Sequence, residues 1–326
     1  MIVLLEDDIF ASPHTRLDLL TVLQLGFEGW HRVQIDPPYE PAANRSINQW
    51  LQRLDERTGE EVELALEIGM EQAVFGLPSD LSIRIGDVRA AEWTANPPRL
   101  PLAEALRLLR KPLRLLVENR HNDGAFLRAV APSPWRGRLR DALDRGQIEI
   151  EHGGGSDMKT RLERASLEEA LRLWALFDSD AREPGHPSAA SEALRLICCH
   201  KGIPHRQLSR RAIENYLPVK ALQGWAHSSF GNLRTSRRRK ADAFAGMRPD
   251  QRHHYNMKHG FQGDRKDGIP SFYEAFADHS DLQGGFGQDI ASLYHQEQLL
   301  IREEWLAQDG QQKETLDMVQ SILRRL

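Results

Sequence analysis

Short apolar runs recur between residues 113 and 210, and helical patterns separate them. The runs are Leu113–Val117, Ile148–Ile150, Leu173–Phe177 and Ile203–Leu208. Runs of this kind are typical of buried strands, and strands that alternate with helices pair in parallel. Because crossovers between parallel strands are right-handed, we predict one parallel α/β sheet of about four strands, flanked by helices, in this region.

The chain before residue 97 has the pattern of a separate α/β unit, with strand candidates at Ile2–Leu5, Arg32–Ile35 and Leu81–Ile85. The segment from Glu61 to Met70 is ambiguous. Its apolar residues alternate with period two, which favours a half-buried strand, whereas its Glu, Leu and Ala content favours a helix. We predict the strand.

Prolines at positions 97, 98 and 101 predict a linker or domain boundary. Beyond residue 210 the pattern turns polar and helical. It ends in two helices that separate near Asp309 and Gly310. We therefore expect three regions. They are an N-terminal α/β region (residues 1–96), a central α/β domain (97–220) and a mostly helical C-terminal region (221–326).

Composition narrows the classes of function. The formal net charge is −4, so any surface for nucleic acid must be local. The only cysteines, Cys198 and Cys199, are adjacent, which disfavours both disulfide and zinc frameworks and fits a reducing cytoplasm. No run approaches the roughly 18 apolar residues of a membrane span, and the N-terminus lacks the pattern of a signal peptide.

Carboxylates follow two of the predicted strands. Glu118 comes directly after Leu113–Val117, and Asp178 and Asp180 come after Leu173–Phe177. The carboxyl ends of parallel strands meet at one edge of a sheet, and side chains two apart on an extended segment share a side. We therefore predict a site for magnesium or manganese, which prefer oxygen ligands. The alternative for Asp180 is that it only starts a helix, as its cap, or a turn.

Two neighbouring features allow two interpretations each. Asp123 adds a further ligand or caps the helix that follows Glu118. Gly153-Gly154-Gly155 lies between a strand and a helix, so it either presents amides to a phosphate or forms a tight turn. The chain lacks the spacing of a P-loop and of a dinucleotide fingerprint, so we predict neither ATP nor NAD binding.

The order of these features resembles a Toprim domain: a strand ending in Glu118, a glycine turn, a strand ending in Asp178-Ser-Asp180, and Gly202-Ile-Pro. The stretch 211–217, Arg-Ala-Ile-Glu-Asn-Tyr-Leu, resembles the segment after the last sheet strand in OLD-family nucleases and stand-alone Toprim phage-defence proteins. The resemblance covers about residues 110–220, with a weaker echo at 255–260. One departure is Asn119, where Toprim domains commonly have glycine.

The resemblance implies divalent-metal cleavage of DNA or RNA. It implies that Glu118, Asp178 and Asp180 bind magnesium, that Glu214 completes a second metal position and that Lys258 stabilises charge on the scissile phosphate. The residues alone also allow Glu214 to be a surface carboxylate paired with an arginine, and Lys258 to be a solvated lysine.

Basic residues cluster after the central domain. We predict that they contact nucleic acid, and the alternative is a solvated face. The residues are Arg234, Arg237, Arg238, Arg239, Lys240 and Arg252.

Three functions follow as hypotheses. The first is a Toprim nuclease that acts in anti-phage defence, as a possible homodimer, beside a partner ATPase sensor that could dock on residues 1–96. The second is a non-catalytic interaction or regulatory subunit with a Toprim-like fold. The third, a primase or topoisomerase-like enzyme, is disfavoured because the chain lacks a zinc module and a convincing context for a nucleophilic tyrosine. Metal-dependent cleavage that requires Glu118 separates the first two.

Overall fold

The computed structural model of the chain describes residues 1–12, 16–38, 40, 45–76, 78–154, 156–296 and 301–326. It contains two parallel sheets of four strands each, and helices flank both. This confirms the predicted α/β class. Among the described residues, no helix is both long and apolar enough to cross a membrane.

The first sheet is built from the N-terminal part of the chain and has the strand order β2-β1-β3-β4. All three neighbouring pairs are parallel. Its strands are β1 (Ile2–Glu6), β2 (Arg32–Asp36), β3 (Ser82–Ile85) and β4 (Arg99–Leu100). The associated helices are α1 (Arg16–Phe27), α2 (Ser46–Leu51), α3 (Glu56–Phe75) and α4 (Leu102–Leu109).

The segment Glu61–Met70 lies in the middle of α3, so the predicted strand is wrong. Its buried positions are Val62, Ala65, Leu66 and Gly69, a spacing that lines one face of a helix. The period-two pattern arose because further apolar side chains, among them Leu64, are exposed. Gly69 faces β2 so closely that a Cβ there would overlap the carbonyl oxygen of Val33.

The first unit extends beyond the predicted boundary at residue 96. Strand β4 pairs with β3, and helix α4 packs into the core of the first sheet. Arg99 also donates to Glu6 at the end of β1, at 2.8 Å. The prolines therefore interrupt the first unit before its last strand, and the second sheet begins after Leu109.

The second sheet has the order β6-β5-β7-β8, and all its pairs are parallel, which confirms the predicted four strands. The strands are β5 (Leu113–Val117), β6 (Ile148–His152), β7 (Leu173–Phe177) and β8 (His205–Gln207). The helices are α5 (Arg120–Val130), α6 (Trp135–Asp144), α7 (Ser156–Arg164), α8 (Leu167–Leu171) and α9 (Ala189–Lys201).

The rest of the chain is mostly helical, as predicted, but it is not a separate body. Its aromatic residues, including Phe244, Tyr255 and Tyr294, share one hydrophobic core with β5 and α5. A 3₁₀ turn at Ile213–Tyr216 leads into α10 (Val219–His227), α11 (Gly231–Gly246), α12 (Pro249–His254) and α13 (Gly260–Asp264). After short 3₁₀ turns, α14 (Glu303–Gln308) and α15 (Gln312–Leu323) follow, separated near Asp309 and Gly310 as expected.

Candidate functional site

The strand order places a topological switch point between β5 and β7. The chain leaves β5 for β6 on one side and later returns to β7 on the other. In open parallel sheets the crevice outside the carboxyl ends of such strands is where ligands bind. Glu118 and Asp178 are the first residues after these two strands, and Glu118 Oε1 accepts a hydrogen bond from the Asp178 amide at 3.1 Å.

Hydrogen bonds from two further segments, besides the bond to Glu118, hold Asp178. Its carbonyl oxygen accepts from Ser191 Oγ at 2.6 Å, and its Oδ1 accepts from the Ile213 amide at 3.2 Å. Burial raises the pKa of Asp178 well above its usual range, and the negative charges of Glu118 and Glu214 raise it further. Burial also raises the pKa of Glu118, against the effect of the Asp178 amide. The ends of β5 and β7 therefore bring together carboxyl groups that are harder to ionise than in water.

Asp180 reaches this edge by a turn rather than by an extended segment, so the predicted same-side alternation is wrong. Its φ is 51°, a left-handed conformation that Asp tolerates better than most residues, and its amide donates to the Arg211 carbonyl at 2.8 Å. The alternative that Asp180 starts a helix fails, because α9 begins at Ala189 and its cap is Ser188, whereas the alternative that it starts a turn agrees with this left-handed conformation. Burial raises the pKa of Asp180, and Arg211 and Lys258 oppose the shift.

Lys258 lies among these carboxylates although it is distant in sequence. Its Nζ is 2.9 Å from Glu214 Oε1; the Glu214 side chain is 2% exposed, and that of Lys258 is 38% exposed. Burial lowers the pKa of Lys258, but the charge and hydrogen bond of Glu214, together with the charges of Asp178 and Glu118, outweigh burial and the net shift is upward. Glu214 is therefore not a surface carboxylate, and its partner is this lysine. Arg211 instead forms a bidentate pair with Asp264, at 2.6 and 2.7 Å.

The turn after Glu118 explains Asn119, the departure from the Toprim pattern. Asn119 caps α5, since its side chain accepts from the amides of His121 and Asn122, both at 3.1 Å. Its φ of −130° does not require glycine. Asp123 is not the cap: its Oδ2 accepts from the Asn119 amide at 2.8 Å. Burial, reinforced by the charges of Glu118 and Glu214, raises the pKa of Asp123 to about 7.

The site thus gathers five carboxylates and one lysine: Glu118, Asp123, Asp178, Asp180, Glu214 and Lys258. Carboxylate oxygens are the donors that Mg²⁺ and Mn²⁺ prefer, so the chemistry of the set fits a hard cation. Within the part of the chain that the structure describes, no three His, Cys, Asp or Glu residues form a ready-made metal cage. Mg²⁺ commonly keeps several waters and uses one or two carboxylates, so a preformed cage of three protein ligands is not required.

The glycine turn supports Glu118 instead of facing a phosphate. The Gly153 amide donates to the Val117 carbonyl at 2.6 Å, and the Gly154 amide donates to the Glu118 carbonyl at 3.2 Å. Both amides are therefore used within the fold, and Gly155 lies outside the described residues. The tight-turn interpretation is the correct one for the two glycines that are described.

The basic run lies in the middle of α11, and its members are not equivalent. Arg234, Arg238 and Arg239 are exposed, although Arg238 lies 3.7 Å from Asp242 and Arg239 lies 4.0 Å from Asp281. Arg237 stacks over Trp225, with its Cζ 4.1 Å from the ring centroid, and Lys240 donates to the Gly285 carbonyl. Two of the five basic residues, Arg237 and Lys240, therefore bind other residues of the protein, which leaves three exposed arginines.

Arg252 does not belong to this surface, contrary to the prediction. Its side chain is 14% exposed, donates to the Met247 carbonyl at 2.6 Å and lies 3.4 Å from Asp309. These bonds use the guanidinium to connect α12 with the chain before α15. Arg252 therefore stabilises the C-terminal region.

Several residues around the site were not predicted, because their partners are distant in sequence. The Asn215 side chain donates to the carbonyls of Arg252 and Tyr255, both at 2.9 Å, and fixes the turn that carries Glu214. The rings of His121 and His295 stack with centroids 3.8 Å apart, next to the turn that follows Glu118. Nothing in the spacing of the sequence indicates these contacts.

Comparison with protein-family models, with curated proteins and with solved structures finds no significant match to this chain.

Proposed function

We propose that this protein is a metal-dependent nuclease with a Toprim-like catalytic domain, which cleaves phosphodiester bonds of DNA or RNA. One observation carries the proposal: Glu118 and Asp178 lie at the switch point of the second sheet, where burial, together with the negative charge of Glu214, raises the pKa of both carboxyl groups. Crowded, buried carboxylates destabilise a fold, and perturbed pKa values cluster at functional sites. Lys258 at the same place supplies the complementary charge.

The roles follow from position. Glu118, Asp178 and Asp180 would hold magnesium or manganese, and Asp123 supports the turn that presents Glu118. Such a cation polarises a phosphoryl oxygen and lowers the pKa of bound water. Asp123, with a pKa of about 7, can hold or release a proton near neutral pH. Glu118 is the candidate general base if the cation does not bind it.

Glu214 has a different role from the one that the Toprim resemblance implies. Its Oε1 is already bound by the ammonium of Lys258, so a second cation would compete with the lysine for the same carboxylate. We assign Glu214 to Lys258 as a positioning residue. Lys258 is more exposed than Glu214, so it can meet the phosphate that the carboxylates would otherwise repel.

The cellular role in this proposal rests on the Toprim resemblance. We propose a cytoplasmic effector of anti-phage defence that works with an ATPase sensor, since the chain carries no Walker motif. Helix α3 in the N-terminal unit exposes Met70, Val74 and Phe75 at 43%, 73% and 86%, and this surface is our candidate for docking that sensor or forming a homodimer.

The second candidate is a non-catalytic regulatory subunit that keeps the same fold. It is favoured by the lack of a ready-made metal cage among the described residues. The two candidates differ in one property, because only the nuclease requires a cation at Glu118 and Asp178.

The deciding experiment measures cleavage of plasmid and of single-stranded oligonucleotides in Mg²⁺, Mn²⁺ and EDTA. We expect cleavage that EDTA abolishes, that Glu118→Gln and Asp178→Asn abolish, and that Glu149→Gln retains. Glu149 is the matched control because it is an exposed glutamate on the neighbouring strand β6. Cleavage that persists in EDTA contradicts the proposal.

Binding of Mn²⁺, measured by calorimetry, gives a readout that does not depend on a partner. We expect the wild type and Glu149→Gln to bind Mn²⁺, and Asp178→Asn to bind it much more weakly. A wild type that neither binds Mn²⁺ nor cleaves would favour the regulatory subunit.

A further inference from the structure

The connection between α10 and α11 presents an aromatic side chain to solvent. Phe230 is 88% exposed, and Leu233, less than one helical turn further, is 54% exposed. Phe230 immediately precedes α11 and is its N-cap residue. An exposed apolar pair at the tip of a helical hairpin marks a surface for a binding partner when its surroundings also select that partner.

The tip is held in place by side chains behind it. Arg237 stacks over Trp225 at 4.1 Å and donates to Ser229 Oγ at 2.5 Å. Ser229 Oγ in turn donates to the Trp225 carbonyl at 3.4 Å. These contacts join α10 to α11 directly behind Phe230, so the ring is presented by an organised turn.

The charge of the hairpin selects the class of partner. The hairpin, residues 219–246, contains six lysines and arginines and a single acidic residue, Asp242, which lies 3.7 Å from Arg238, in a chain whose net charge is −4. The six basic residues are Lys220, Arg234, Arg237, Arg238, Arg239 and Lys240. Phe230, Arg234 and Arg238 follow one another at intervals of four, which places them along one face of α11. A partner that offers negative charge and flat apolar faces at close spacing is a nucleic acid.

The hairpin is joined to the candidate site at both ends. Helix α10 begins shortly after the 3₁₀ turn that carries Glu214, and its nine residues span about 13 Å. At the other end, Lys240 donates to the Gly285 carbonyl, and the Gly287 amide donates to the Lys258 carbonyl at 3.2 Å. A strand bound along the hairpin would therefore lead toward Lys258.

We propose that Phe230 stacks on an unpaired base of the substrate, while Arg234 and Arg238 contact the adjacent phosphates. The inference rests on the proposed function and deepens it, because it names the substrate class as nucleic acid with a single-stranded or opened segment. Stacking on an aromatic ring is tolerant of sequence and requires a base that is not already stacked within a duplex. The same protein should therefore prefer single-stranded oligonucleotides to an intact duplex of equal length.

Binding of a single-stranded oligonucleotide that contains 2-aminopurine tests the inference. All variants carry Glu118→Gln to prevent cleavage. Phe230→Ala and Phe230→Leu are expected to weaken binding about tenfold, within the range known for one stacked base, and Phe230→Trp to retain it. The base fluorescence should be quenched only by proteins with an aromatic residue at position 230. Phe27→Ala, which removes an exposed phenylalanine from the N-terminal unit, is the matched control and should bind as tightly as the parent.

The leucine variant separates stacking from general hydrophobic docking. Unchanged affinity in Phe230→Leu or in Phe230→Ala overturns the inference, as does a parent protein that does not bind the oligonucleotide. A parallel measurement uses anionic phospholipid vesicles in place of the oligonucleotide. If Phe230→Ala loses vesicle binding and keeps oligonucleotide binding, the tip binds a membrane surface and the inference is overturned.

The outcome is also distinguishable from failure of the proposed function. Quenching and tight binding by a protein that, with Glu118 restored, neither binds Mn²⁺ nor cleaves would contradict the nuclease and keep the stacking role. Cleavage of single-stranded substrate at the same rate and KM with and without Phe230 would keep the nuclease and overturn the stacking role.

Discussion

Lys258 lies 2.9 Å from Glu214, whose side chain is almost fully buried. The pair has two possible purposes, which a stability measurement and a rate measurement can separate. A lysine that only neutralises Glu214 is needed for folding, whereas a lysine that also meets a phosphate is needed for turnover. Its 38% exposure allows the second purpose without excluding the first.

We predict that Lys258→Met lowers turnover about 100-fold and lowers the free energy of unfolding by about 1–3 kcal/mol. The stability loss arises because Glu214 is left buried without its partner. Adding Glu214→Gln should restore the stability and leave turnover low. Urea denaturation and oligonucleotide cleavage are the measurements, and Lys266→Met, an exposed lysine, is the control. Turnover that recovers together with stability in the double variant would show that Lys258 acts only through Glu214.

At the residue scale, the sequence predicts which site residues follow the ends of the strands, and it predicts few of their contacts. Glu118 and Asp178 follow from apolar runs, because parallel strands end at one edge. The left-handed turn at Asp180 depends on a hydrogen bond to the Arg211 carbonyl, so no local pattern predicts it. The capping of α5 by Asn119 uses local bonds to the amides of His121 and Asn122, and what the sequence analysis missed is that α5 begins before Asp123. The pKa of Asp123 depends on burial, which appears only in the folded chain.

Helix α11 shows at the element scale how neighbouring basic residues differ in purpose. The run is continuous in sequence, but a helix distributes its members around an axis. Arg237 therefore faces Trp225 of α10, while Arg234 and Arg238 face solvent. A variant that reverses the charge of Arg237 also removes its contact with Trp225 in the hairpin, so its effect on nucleic-acid binding cannot be attributed to charge alone.

We predict that Arg234→Glu with Arg238→Glu weakens nucleic-acid binding without lowering stability. If each arginine contacts one phosphate, the slope of log affinity against log salt should decrease in magnitude by about two. Arg237→Glu should also lower the free energy of unfolding by about 1 kcal/mol, because it loses the contact with Trp225. Salt titration and urea denaturation test both statements.

The control is the double reversal Arg53→Glu with Arg57→Glu, which changes the net charge equally on exposed residues of the N-terminal unit. An equal loss of affinity in the two double variants would mean that only net charge matters. An unchanged slope for the α11 variant would make this run a solvated face.

Elements were predicted best where two signals agreed. The strands of the second sheet combine apolar runs with flanking breakers, and all four are present. Glu61–Met70 carried conflicting signals, and composition outweighed alternation because the buried face of α3 needs only every third or fourth residue. The exposed tip at Phe230 has no signal in the sequence, since exposure of one aromatic residue is a property of the folded hairpin.

At the scale of the whole molecule, hydrogen bonds of buried polar side chains join the two sheet-containing units at their interface, which we call the seam. The Gln147 side chain donates to the Gly29 carbonyl at 3.1 Å, and the Arg325 side chain donates to the carbonyls of Asp80 and Leu171. Residues after α15 thus bond to both units. The prolines in the sequence could not predict this, because the contacts join segments from both ends of the chain.

His31 lies at this seam and makes it sensitive to pH. The ring is 2% exposed, and its Nε2 lies 2.8 Å from the Leu109 carbonyl oxygen. Burial lowers the pKa of His31 well below its usual value, and the positive charges of the Met1 amino group and Arg172 lower it further. The folded protein therefore binds a proton at His31 more weakly than the unfolded chain does.

The sign of the pH effect follows from this difference. The stability that a neutral His31 contributes is fully present above the unfolded pKa of about 6.5, and it is lost as the pH falls below that value.

We predict that between pH 6 and pH 5 the wild type loses up to about 1.4 kcal/mol more unfolding free energy than His31→Gln, which cannot be protonated in this range. The raised pKa values of the carboxylates at the second sheet act in the opposite direction in both proteins, so they cancel in the comparison. Urea denaturation of the two proteins at pH 7.5, 6 and 5 measures the difference, with His279→Gln, an exposed histidine, as the control. Parallel pH profiles for the wild type and His31→Gln would mean that the seam opens before His31 takes up its proton.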